Sequence, residues 1–192
     1  MAGKLRSATE RAAANAKADA VELDPPLRQL LTLWTALCHG GAMPRRERVV
    51  AAHLEPELQP FLAQVDITDS GSKLRFRYCG AKLAEAAGMD LTGHLVHRLN
   101  PDRPYAAYIE ALYDRAQMSK RPVYSECSYS AQLSAVTRRT QRLICPLAGG
   151  GGRVAGFIAA QTYHDEGVHD GLGERPSFVY HDHFVPGRVV IL

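Results

Sequence analysis

The sequence predicts an α+β fold, a β-sheet lidded by short helices, and three observations predict it. Residues 73–79 alternate: Leu74, Phe76 and Tyr78 fall on one face and Lys73, Arg75 and Arg77 on the other, behind the turn-forming run Asp69-Ser70-Gly71-Ser72. Three β-prone segments follow in series between residues 123 and 163. Ahead of both, Leu27, Leu30, Leu31, Trp34, Leu37 and Cys38 recur at the spacing of one helical face. A hairpin running straight into small helices makes a sheet with a lid, and a lid can enclose a small molecule.

The order of elements follows from local chemistry. Residues 1–24, Ala-rich with scattered Lys and Arg, read as a flexible arm. Residues 25–60 form a helical extension. Asp24 is placed to cap, Pro25 and Pro26 suit a first helical turn, and Gly40-Gly41 ends the helix. Its apolar stripe proves burial but not against what. Packing on the chain's own sheet and packing on a second subunit fit equally, and Leu27, Leu30, Leu31, Trp34 and Leu37 are the candidate homodimer interface. Residues 61–163 form the main domain. Its early strands lie at 65–68 and 73–79, short helical pieces follow, and a longer helix spans about 105–119 with Tyr105, Tyr108, Ile109, Leu112 and Ala116 inward. Strands at 123–129, 137–147 and 153–163 complete it. The last carries the least charge and so belongs inside the sheet. Gly149 to Gly152 lack a following Lys-Ser/Thr and a helix, so they read as a hairpin turn and not a phosphate loop. Residues 164–192 form a His/Asp-rich tail whose apolar end, Val189-Val190-Ile191-Leu192, can add an edge strand or dock on a partner.

Composition narrows the function. Apolar residues at 46% and charged residues at 22% are ordinary for a globular chain, with a mean hydropathy of −0.20. A formal net charge of +3 gives no case for nucleic acid. No window holds the roughly 18 apolar residues of a membrane crossing, and residues 1–24 lack the apolar core of a secretory signal. A cytoplasmic location is expected. There Cys38, Cys79, Cys127 and Cys145, which form no CxxC pair, stay reduced.

Chemical motifs are sparse. No GxSxG elbow and no HExxH helix occurs, and no catalytic residue is assigned. His181 and His183 fall on one side of an extended segment and His164 lies nearby, but spacing supplies no fixed third and fourth ligand, so no metal is assigned. Arg75 and Arg77 on one strand and Arg138, Thr140 and Arg142 on another are expected on outward faces, as solvated charge or a partner-docking patch.

The segments RFRYCGAKLAEAAGMDLTGHLVHRL, RPVYSECSY and TQRLICPLAGGGGRVAGFIAAQTY, in that order, resemble the PAS-domain superfamily. Leu33-Trp34, Gly40-Gly41 and Pro44 ahead of them resemble the small stand-alone proteobacterial PAS-like proteins with a leading Leu-Trp helix. The resemblance implies a five-stranded antiparallel sheet with helices on one face, a ligand cavity between them, and a leading helix used in dimers. It also implies a sensory or protein-interaction role with no fixed cofactor. No Asn-Cys-Arg follows the small helices, which argues against a flavin adduct. The 105–119 helix holds no histidine, which argues against haem; His94 and His97 precede it. The reading that follows is a sensory module with an unidentified downstream protein. A small, mostly apolar ligand would meet Phe76, Tyr78, Leu95, Leu99, Tyr105, Tyr108, Ile109 and Leu112. A ligand-free interaction domain and a small isomerase- or hydrolase-like enzyme are the alternatives.

Overall fold

The computed structural model describes residues 21–68, 73–99, 103–130, 136–167 and 183–192. At its centre is one antiparallel sheet of six strands: β1 (Leu62–Ile67), β2 (Leu74–Cys79), β3 (Val123–Ser130), β4 (Thr137–Ala148), β5 (Val154–Glu166) and β6 (His183–Ile191). Their spatial order is β2-β1-β5-β4-β3-β6. The five expected strands are present. β5 lies between β1 and β4, the interior place its low charge predicts. Gly151 and Gly152, both at positive φ, turn β4 into β5. The sixth strand comes from the expected tail: β6 pairs along β3 from Ser130↔His183 to Val123↔Ile191 and forms an edge of the sheet.

Helices cover both faces. On the inner face, α2 (Ala81–Ala87), the single turn Val96–Arg98 and α3 (Arg103–Ser119) make the lid. Leu83, Val96, Ile109 and Leu112 belong to one apolar core with Phe76, Ile144, Phe157 and Ala159 of the sheet. Gly88 ends α2 at φ 76°, and Lys120 at φ 54° stops α3. Gly80 joins β2 to α2 at a position where a Cβ would sit 2.2 Å from the Gln59 carbonyl oxygen, so only glycine fits. On the outer face lie α1 (Pro25–Leu37) and the short turns Arg46–Arg48, Ala51–His53 and Gln59–Phe61. Leu27, Leu30 and Leu31 are buried in a second core with Leu143, Cys145, Leu147, Ile158 and Ala160.

That packing decides between the two readings of the helical stripe for its buried part. Leu27, Leu30 and Leu31 are used up on the chain's own sheet and are not open to a second subunit. Trp34 and Leu37 are half-buried, and the Trp34 indole donates to the Pro146 carbonyl at 2.8 Å. The flexible arm was expected to run to residue 24, but Val21 and Leu23 are buried in the outer core. Gln141 of β4 fixes this entry: its Oε1 accepts from the Asp24 N–H at 3.0 Å and its Nε2 donates to the Glu22 carbonyl at 3.1 Å. Nor does the Asp24 side chain cap α1. Its carboxylate accepts from the Thr162 hydroxyl and lies 2.6 Å from His164 Nε2, tying the helix start to β5.

The strict alternation expected for β2 fails at one point. The register steps from Val65↔Phe76 to Gln64↔Tyr78, leaving Arg77 as an extra residue in a bulge. An extra residue flips every side chain beyond it. Leu74 and Phe76 therefore join the inner core, whereas Tyr78 packs with the outer one.

Among the described residues no helix is long and apolar enough to cross a membrane.

Candidate functional site

Between sheet and lid lies a cavity of about 40 Å³. Its walls are mostly apolar: Phe76 from β2, Leu83 from α2, Leu91 and Val96 from the following segment, and Ile109 and Tyr113 from α3. Its polar floor comes from the sheet. Arg142 of β4 and Gln161 of β5 are paired residues on adjacent strands and both face inward.

The floor is held in one arrangement. Arg142 Nε donates to Gln161 Oε1 at 2.9 Å, and Arg142 Nη2 donates to the Tyr105 hydroxyl oxygen at 3.1 Å. Both residues are deeply buried, with 6% of Arg142 and 5% of Gln161 exposed. A guanidinium has no acceptor, so Gln161 must turn its oxygen toward it and its NH₂ group away. Two buried nitrogens are then left without an acceptor among the described residues, Arg142 Nη1 and Gln161 Nε2. No carboxylate forms an ion pair with Arg142 among the described residues. The surrounding phenols do not neutralise it. Burial raises the Tyr105 pKa against the opposing pull of Arg142, and raises that of Tyr113 to about 12, so both are uncharged at neutral pH. Arg142 itself stays protonated: burial works against its charge, yet its pKa is still shifted upward from an ordinary value already far above neutral pH.

Four of the residues expected at a ligand site line the cavity: Phe76, Leu99, Tyr105 and Ile109. Four do not. Tyr78 is on the other face because of the bulge. Leu95 makes an isolated bridge to Arg75. The Tyr108 hydroxyl donates to the Glu126 carbonyl at 2.7 Å, and its ring packs on Phe184. Leu112 is buried in the inner core away from the lining. Sequence reasoning missed Ala63, Leu83, Leu91, Val96, Tyr113, Arg142, Ala159 and Gln161.

The basic patch expected on the sheet's outward faces does not form. Arg75 and Arg77 are exposed, and Arg77 lies 3.5 Å from Asp66. Arg138, Thr140 and Arg142 are buried. They alternate with Leu143, Cys145 and Leu147 as expected, but the face opposite those three lies under the lid and not in water. Arg138 makes a two-pronged pair with Asp165, Nε to Oδ1 at 2.6 Å and Nη2 to Oδ2 at 2.8 Å, and lies over the Tyr163 ring. Asp165 thus supplies the counter-charge that Arg142 lacks.

Of the histidines considered for metal, His164 bonds Asp24, His183 is exposed at the start of β6, and His181 lies outside the described residues. Groups of three or more His, Cys, Asp or Glu side chains able to hold a metal ion are absent among the described residues.

In comparison with known proteins, a family model described as PAS domain matches residues 23–159. The matched span takes in α1 and every residue lining the cavity except Gln161, which lies two positions beyond its end. No curated protein matches the chain significantly.

Proposed function

Because this chain belongs to the PAS-domain family, we propose that it is a sensory or regulatory module whose small ligand occupies the cavity between sheet and lid, and whose occupancy is relayed to a partner protein. One observation carries this reading: a chamber between sheet and lid with apolar walls and two polar side chains on its floor. Apolar walls with a few placed polar groups are the usual make-up of a small-molecule site.

A route for the relay is built into the same residues. Tyr105 bonds Arg142 on the cavity side, and its ring packs edge-on against Phe184 of β6 with centroids 5.1 Å apart. Tyr108 of the same helix packs on Phe184 at 5.2 Å. A ligand that shifts Tyr105 therefore shifts the contact between α3 and the edge strand, the kind of two-position packing change on which switches run.

Native mass spectrometry of the gently purified full chain tests the reading. The expected result is a retained small molecule that is lost in Ala159→Leu, where added side-chain volume fills the chamber, with the circular dichroism spectrum unchanged. Saturable binding that is indifferent to Ala159→Leu would place the ligand elsewhere and overturn the proposal.

A further inference from the structure

Resting on the cavity reading just given, we infer that the ligand is a small organic monocarboxylate, received by the guanidinium of Arg142 and the amide nitrogen of Gln161. The floor offers two buried donors that no acceptor among the described residues meets. Arg142 Nη1 and Gln161 Nε2 are both buried and both lack an acceptor, and their residues line the same cavity. A buried donor left unmade costs free energy, and a buried guanidinium without a counter-charge costs more. Trapped water would satisfy the nitrogens but would leave the charge unbalanced. A carboxylate does both, because it only accepts and its two oxygens suit a planar guanidinium.

Size and wall chemistry narrow the class. The volume of about 40 Å³ corresponds to roughly three waters, room for a carboxylate on a short chain. Phe76, Leu83, Leu91, Val96 and Ile109 would meet that chain with carbon only. A second charge on the ligand would meet no counter-charge, since Arg142 is the one cation lining the cavity among the described residues. The contrast with Arg138 supports the assignment. Two β4 residues point under the same lid; the one beside Asp165 is fully paired within the chain, and the one in the cavity is not.

The test is titration of the full chain with acetate, propionate and butyrate, against propionamide, propylammonium and chloride, at constant ionic strength set with sodium sulfate. Thermal unfolding and the side-chain Nε–H resonance of Arg142 are the readouts. Carboxylates should raise the unfolding midpoint saturably and shift that resonance, while propionamide and propylammonium should do neither. Arg142→Met should weaken propionate binding by about tenfold or more, as removal of a hydrogen bond to a charged group does. Should that variant not fold, the wild-type series still decides. Equal effects of propionate and propionamide would overturn the anion assignment while leaving a small-molecule sensor standing. Chloride acting where carboxylates do not would replace the organic ligand with an inorganic ion, and no shift with any anion would also refute the inference. Loss of the sensor reading itself shows separately, as a bound molecule indifferent to Ala159→Leu.

Discussion

Gln64 looks from its surroundings in β1 like an ordinary polar strand residue, yet it is 2% exposed. Its Nε2 donates to the Val49 carbonyl at 3.1 Å, and its Oε1 accepts from the Ala51 N–H at 3.1 Å. One side-chain amide thus does for the 49–51 backbone what a neighbouring strand would do, and it holds the turn Ala51–His53 against the outer face of the sheet. Gln141 does the same for Glu22 and Asp24 at the entry to α1. Buried amides of this kind are costly to remove, because the partners left behind stay out of water. Gln64→Leu keeps the volume and strands one carbonyl and one N–H, and the expected loss is about 1–3 kcal/mol. In urea the midpoint should fall while the slope stays unchanged. An unmoved midpoint would mean that the 49–51 backbone finds other partners.

At the scale of elements, α1 is the piece whose role depends most on where it packs. Leu30 is fully buried against β4 and β5 within one chain, so Leu30→Ala should cost about 2–5 kcal/mol as a cavity in a single-chain core. Its melting temperature should fall by the same amount at low and high protein concentration. A fall that grows on dilution would instead assign the leucine to contacts between chains. The elements themselves were legible in the sequence because their signals are local: alternation at 74–76, glycine punctuation at 80, 88 and 149–152, and a helical stripe after Pro25-Pro26. What was not legible depends on pairing across the chain. The bulge at Arg77 exists only in register with β1, and it alone moved Tyr78 off the inner face. The polar floor of the cavity was readable as far as the alternation of Arg138, Thr140 and Arg142. Placing that face in solvent was the error, because α1 already covers the other one and the lid covers this one. A charged residue in strand alternation reads as exposed unless both faces of the sheet are known to be covered.

For the whole molecule, the tyrosines set an alkaline limit. Tyr78, Tyr105, Tyr108, Tyr113, Tyr124, Tyr129 and Tyr163 all have raised pKa values, each with burial as the leading cause. Tyr105, Tyr113 and Tyr129 lie in the inner core, Tyr163 packs against it, and the Tyr163 hydroxyl is buried without a partner. In the unfolded chain a phenol ionises near pH 10. A folded-state value above that means the native state resists losing the proton, so the stabilisation is fully present below about pH 10 and is lost as pH climbs through the folded value. For Tyr113, raised to about 12, the loss is about 1.4 kcal/mol for each pH unit in that interval. Several such phenols together reach the few kcal/mol by which a domain of this size is stable. The chain should therefore unfold cooperatively between about pH 10 and 12. Tyrosinate absorbance should rise steeply with the loss of circular dichroism and not gradually ahead of it. A broad titration centred near pH 10 with the fold intact would show these phenols to be open to solvent, and with them the packing of the lid over the cavity.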